Sequence, residues 1–179
     1  MKKRRQIVLS GVGGQGLISC GCLIGEAAVL YEGKYATLSS SYGVETRGTF
    51  TKSDVMISDS EIFYPEVLEE DIVLSLAAVA YDRYVPKLEA GALLFYDSGM
   101  VENRRESKAE QFGFAFTDMA RELGSATAAN IIALGAITGL TRILKPESII
   151  KAIENTYKEK PKVMELNIRA FQKGLELVK

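Results

Sequence analysis

Gln6-Ile-Val-Leu-Ser10, followed by Gly11-Val-Gly13-Gly14-Gln15-Gly16 and then by Leu17, Cys20, Leu23, Ile24, Ala27 and Ala28 at helical spacing, is the stretch that decides the fold class. A short β-branched apolar run, a glycine-rich turn and a stripe of period 3.6 read as strand, turn and helix up to Tyr31. Gly33 punctuates the chain, and residues 35–40 give a second strand. A helix between two strands is the crossover that parallel neighbours require, so residues 6–40 predict a βαβ unit with a parallel strand pair.

Outward from this unit, residues 41–48 are polar and flanked by glycine. From Thr49 the chain alternates through Val55, Met56, Ile57 and Ser58, which predicts an extended strand able to run antiparallel to its neighbours. Asp71-Ile-Val-Leu-Ser-Leu76 is a continuous apolar run, as a strand covered on both faces requires, and residues 79–88 predict a helix stopped near Gly91. Residues 92–96 and 112–116 read as two more strands, with Thr117 as N-cap of a short helix to Leu123. The remainder is helical: the strongly apolar residues 128–144, a helix opened by Pro146 and running to Lys158, and an amphipathic helix over residues 162–178. Residues 1–179 therefore predict one α/β domain, with a largely parallel sheet flanked by helices, a Rossmann-like first βαβ unit and room for one antiparallel strand.

Composition narrows function by exclusion. The chain has 22 Lys and Arg against 23 Asp and Glu, a net charge of −1, and no basic stripe beyond Lys2 to Arg5. It lacks the electrostatic footprint that phosphate backbones need, and nucleic acid is not an expected partner. Histidine is absent and the only cysteines are Cys20 and Cys22. That removes a Ser-His-Asp triad, a Cys-His dyad, a four-cysteine zinc site and an iron–sulfur cluster ligated wholly by this chain. No apolar run reaches the roughly 20 residues of a membrane span. The basic start followed by an apolar stretch ending at Cys20 is not expected to be a lipoprotein signal, because Gly11, Gly13, Gly14 and Gly16 spoil an inserting helix. Two cysteines one residue apart form no ordinary structural staple, in keeping with a reducing cytoplasm.

Gly11-Val-Gly13-Gly14-Gln15-Gly16 satisfies G-x-G-x-x-G, where glycines permit a tight turn and let a phosphate approach backbone N–H groups. A dinucleotide site also needs an acid at the end of the second strand, and here that strand ends Leu38-Ser39-Ser40-Ser41, with Glu45 beyond it and Glu32 before it. NAD is therefore not the expected ligand, and close helix–strand packing is the competing use of the glycines. Ser41-Tyr42-Gly43-Val44-Glu45-Thr46-Arg47-Gly48 follows the second strand at the carboxyl end of the sheet, where open α/β folds bind ligands. Arg47 can clamp a carboxylate or phosphate, Glu45 can hold that Arg or a partner's cation, and Tyr42 adds a flat surface; a surface turn with an internal Glu–Arg pair is the alternative. Asn130, opening an apolar helix, is expected to cap or cross-link backbone. Cys20 and Cys22 lie at a helix start, where a thiol can be acidified. Glu102, Arg104 and Arg105 read as solvated surface, and most tyrosines and phenylalanines as core or boundary residues.

Three segments in order, Gly11 to Gly16, Ser41 to Gly48 and Ala129-Asn-Ile-Ile-Ala-Leu-Gly-Ala136, resemble the gamma subunits of 2-oxoacid:ferredoxin oxidoreductases. Glu165-Leu-Asn-Ile-Arg-Ala-Phe171 followed by Gly174 is similar to that family's ending, so the resemblance spans nearly the whole chain. It implies an accessory subunit of an assembly that oxidises a 2-oxoacid, pyruvate or 2-oxoglutarate, with coenzyme A to acyl-CoA and CO2, passing electrons to ferredoxin. It further implies alpha, beta and ferredoxin-like delta subunits as partners. Thiamine diphosphate, Mg2+ and iron–sulfur clusters would reside in those subunits, with no cofactor bound by this chain alone and no catalytic residue in it. By the same resemblance, Gly11, Gly13, Gly14, Gln15, Gly16, Tyr42, Gly43, Glu45, Arg47, Gly48 and Asn130 form a ligand or interface loop set, helping to complete the region where coenzyme A enters. Two departures fall in the second loop: Thr49 stands where the family commonly has a second glycine, and Val44 where proline is common. A free-standing nucleotide-binding domain and a pure interaction scaffold are the alternatives.

Overall fold

The computed structural model describes the backbone of residues 4–42 and 49–179. β1 (Arg4–Val12) is the axis of a six-stranded sheet, and its alternate side chains part to opposite faces: Ile7 and Leu9 enter one apolar core, Val8 the other. β4 (Ile72–Ser75) repeats the division with Ile72 and Leu74 against Val73, and β5 (Leu93–Asp97) with Phe95 against Leu94 and Tyr96. Burial on both faces explains why these runs are continuously apolar in sequence. β6 (Glu110–Phe114) closes that edge, so β1, β4, β5 and β6 run parallel.

The other half of the sheet is ordered β2-β3-β1, from β2 (Tyr35–Tyr42) and β3 (Phe50–Ser58). β3 is antiparallel to both neighbours, pairing Val12 with Phe50 and Tyr42 with Thr51. The expected antiparallel strand is therefore present, and the parallel pairing of the first two strands is corrected: β1 and β2 run the same way with β3 between them. The cause is connection length. Only residues 43–49 join β2 to β3, enough for a hairpin return and too few for a parallel crossover. The second strand also extends to Tyr42, two residues beyond the sequence reading.

The larger core lies under α1 (Leu17–Glu26), which continues as a π-helical turn (Ala27–Tyr31), and under α3 (Phe116–Glu122), α4 (Ala129–Thr141), α5 (Pro146–Thr156) and α6 (Pro161–Glu176). α2 (Ala78–Tyr84) covers the opposite face, ending earlier than expected, two residues before Pro86. Phe116 opens α3 rather than closing a strand, and Thr117 is not its N-cap. Instead the buried Asp97 carboxylate at the end of β5 accepts from the Thr117 backbone N–H at 2.8 Å and from its hydroxyl at 2.5 Å, capping α3 from outside. α4 is buried on nearly every side from Ala129 to Thr138, as an all-round apolar helix must be. It crosses α6 at Gly135 and Gly174, where the backbones nearly touch: a Cβ on Gly174 would fall on the Ile132 carbonyl oxygen and lie 2.8 Å from the Ala136 nitrogen. Among the described residues, no helix is long and apolar enough to cross a membrane.

Candidate functional site

The glycine loop leaves the carboxyl end of β1 and enters α1 through Gly16, whose left-handed backbone, φ 67°, a side chain would strain. Gln15 turns back over the loop. Its Oε1 accepts the Val12 N–H at 2.9 Å and its Nε2 donates to the Leu76 carbonyl at 2.9 Å, tying the end of β1 to the residue after β4. A Cβ on Gly11 would collide with Gln15 Oε1, so Gly11 is small to admit Gln15 rather than a ligand. A Cβ on Gly16 would meet Asn130 Nδ2 at 2.6 Å. That amide donates to the Gly16 carbonyl at 2.8 Å, the backbone cross-link expected of Asn130, and fastens the start of α4 to the start of α1. Gly14 differs from both: φ is 100° and nothing lies within 4 Å of a Cβ there.

The packing use of the glycines thus accounts for Gly11 and Gly16, the Gly13 N–H donates to the Thr49 carbonyl at 3.2 Å, and Gly14 borders open space. A cleft of about 350 Å³ is lined by residues 12–19 and Thr51, and a smaller one of about 190 Å³ by Gly14, Gln15, Met100, Thr117, Ala126, Thr127 and Ala129. No charged side chain among the described residues lines either cleft. What faces the larger one is the first turn of α1, where no side chain among the described residues caps Leu17, Ile18 and Ser19. Uncapped first-turn N–H groups and the positive helix end suit one class of ligand, an anion such as a phosphate. On the buried side, Asn130 is 4% exposed and its Oδ1 has no partner among the described residues.

Of the second loop, Tyr42 ends β2 with its backbone opposite Thr51, itself opposite Gly11 across β3. Two strand spacings, about 10 Å, therefore separate the entry of the second loop from the glycine loop. Gly43, Glu45, Arg47 and Gly48 lie outside the described residues. Sequence reasoning missed Ile18, Ser19, Thr51, Met100 and Thr127. Ser19 was legible as a first-turn residue of α1; Met100 and Thr127 come from distant segments and carry no local signal.

The expectation of an acidified thiol at the start of α1 is overturned for Cys20. Burial, and secondarily the charge of Cys22, pushes its thiol up to about 12. Cys20 points into the core and Cys22 outward, as residues two apart on a helix do, so they present no paired ligands to a cluster. Among the described residues, no group of three or more His, Cys, Asp or Glu could hold a metal ion. This donor set does not fit an iron–sulfur cluster.

Comparison with known proteins identifies the family of the chain. Subunit KorC of 2-oxoglutarate synthase from Methanocaldococcus jannaschii is 40% identical over 183 residues, covering 100% of this chain and 96% of the relative. The crystal structure of a keto/oxoacid ferredoxin oxidoreductase gamma subunit from Geobacter sulfurreducens matches with TM-score 0.84 at 38% identity, over 96% of each chain. The 2-oxoglutarate:ferredoxin oxidoreductase of Magnetococcus marinus shares the fold, with TM-score 0.86 at 24% identity, over 99% of this chain and 31% of that one. The family model described as pyruvate ferredoxin/flavodoxin oxidoreductase matches residues 6–177, and the chain belongs to that family.

Proposed function

We propose that the chain is the accessory gamma subunit of an assembly that converts 2-oxoglutarate and coenzyme A to succinyl-CoA, CO2 and a proton, passing the two electrons released to ferredoxin. The observation that carries the reading is the end-to-end likeness to a 2-oxoglutarate synthase subunit. Thiamine diphosphate, Mg2+ and iron–sulfur clusters belong to the alpha, beta and delta subunits, in keeping with a donor set here that offers no cluster ligands. The work of this chain is then to pack on those subunits in the cytoplasm and to complete the entry of coenzyme A. Gly14 and the first turn of α1 receive one of its phosphates, with Gly13 lining the cleft and Gln15 and Asn130 holding the loop in shape. The same ligand-binding role is assigned to Tyr42, Gly43, Glu45, Arg47 and Gly48 by the family resemblance, with Arg47 as the cation for a phosphate.

The test is gentle affinity purification of the assembly followed by viologen reduction with 2-oxoglutarate, pyruvate or a branched 2-oxoacid plus coenzyme A. Co-purifying thiamine- and cluster-binding subunits with a preference for 2-oxoglutarate is the expected result. Oxidation of a 2-oxoacid by the pure single chain would overturn the accessory role. Within the assembly, Ser19→Asp suits the helix start yet repels phosphate, and should raise the apparent KM for coenzyme A, as should Arg47→Ala. An unchanged KM in both variants refutes the coenzyme A contact and leaves the loops to subunit packing.

A further inference from the structure

At the pole of the sheet opposite the glycine loop, the C-terminal end of α4 borders a cavity of about 540 Å³, the size of a small-molecule site. α4 runs from Asn130, beside the loop, to Thr141, so the two places stand about 17 Å apart at 1.5 Å per residue. Ile143 and Leu144, from the connection to α5, and Leu175 and Val178, from α6 and the residues after it, give the cavity apolar walls. Arg142 and Lys145 stand exposed among the lining residues, and neither side chain has a hydrogen bond or ion pair among the described residues. Lys34 is taken by Asp59 at 2.5 Å. Glu32, the carboxylate side chain among the described lining residues, accepts the Lys145 backbone N–H at 2.6 Å, which pins the connection across the cavity and leaves the Lys145 ammonium without an ion pair, while Lys179 adds a further cation to the lining. Thr138 lies one helical turn before Arg142 on the same face, 1% exposed, with its Oγ1 buried and unpartnered among the described residues.

We propose that this cavity binds an amphipathic organic monoanion, its apolar tail against Ile143, Leu144, Leu175 and Val178 and its carboxylate on Arg142 and Lys145. Apolar walls favour a hydrocarbon tail over the water that otherwise fills them, and two unneutralised cations select a negative headgroup over a neutral one. A χ1 rotation of Thr138, whose hydroxyl has two accessible rotamers in a helix, supplies a further donor to that headgroup. The site is independent of the coenzyme A reading, since it shares no residue with the glycine loop.

The test uses octanoate as probe and octan-1-ol as its neutral counterpart, titrated into the 15N-labelled full chain and followed by amide chemical shifts. Octanoate should shift the amides of Thr138, Gly139, Arg142 and Leu144 in a saturable way, and octan-1-ol should bind about tenfold more weakly or worse. Arg142→Gly should weaken octanoate by a similar factor while preserving the fold, because residue 142 has a left-handed backbone, φ 50°, that glycine adopts without strain. Thr138→Val, which also keeps shape, should weaken it less. Equal binding of acid and alcohol, shifts spread over the exposed Leu30 and Phe63, or no saturable shift would each overturn the proposal. In the last case Arg142 and Lys145 serve only to complement the end of α4.

Discussion

Gln15→Ala removes both bonds that tie the glycine loop to the sheet, the acceptor of the Val12 N–H and the donor to the Leu76 carbonyl, each 2.9 Å long. An orphaned group costs about 1 kcal/mol where water can replace the partner, as at half-buried Val12, and about 2 kcal/mol where it cannot, as at Leu76. Leu76 is 1% exposed, so the second case applies to it. The sum, about 3 kcal/mol, corresponds to a fall in Tm of about 6–12 °C for a domain of this size. Gly11→Ala reaches the same contact from the other side, since its methyl crowds Gln15 Oε1 away from the Val12 N–H; alone it should cost about 1 kcal/mol. In the double variant the methyl meets only the Leu76 Cβ, at an ordinary 3.5 Å, so the two losses should fall short of additive by about 1 kcal/mol. Gln15→Glu keeps the acceptor for Val12 but aims a carboxylate at the Leu76 carbonyl. Its acid form alone can donate there, so folding raises that carboxyl's pKa. The stability that the acid form contributes is present at low pH and is lost as pH rises through the folded pKa. The variant should therefore lie closest to the parent in acid and farthest from it at neutral pH. Thermal melts by circular dichroism across this set, at several pH values, decide the matter. A Gln15→Ala protein melting within about 2 °C of the parent, or strict additivity with Gly11→Ala, would refute the bracing role.

Two further expectations concern the scaffold. Gly174→Ala should destabilise by about 3 kcal/mol or more, because its methyl meets backbone on α4 rather than a side chain that can turn away. Gly25→Ala, where nothing lies within 4 Å of a Cβ in α1, should instead stabilise by about 0.5–1 kcal/mol; denaturant titration of the pair checks both signs. At pH 8 a thiol reagent should label Cys22 quickly and Cys20 only on unfolding, since burial holds the Cys20 thiol near 12, and mass spectrometry of the labelled peptide distinguishes them.

The family reading does not make the glycine loop a dinucleotide site. Two of its glycines are occupied by the protein itself, one by Gln15 and one by Asn130. What stays open is Gly14 and the first turn of α1, lined among the described residues by no charged side chain. That arrangement agrees with an accessory chain that contributes part of a binding wall while its partners hold the reactive groups.

The sequence by itself determined the layers. The apolar runs within residues 71–76 and 92–96 demanded buried strands, and the strongly apolar stretch of residues 128–144 demanded a helix. Gly11 to Gly16 likewise fixed a tight strand-to-helix turn, because period and glycine content are local properties of the chain. Strand order was not local. Which strand lies beside β1 depends on where a seven-residue return can place β3, and the competition between β2 and β3 for that edge is settled only when α1 packs beneath them. The division of labour among the glycines was equally out of reach, since it rests on Asn130, 114 residues away from Gly16, and on Leu76, 61 residues away from Gln15. Tertiary structure alone brings those partners within hydrogen-bonding distance, and so it alone decides which glycines pack and which remain open to a ligand.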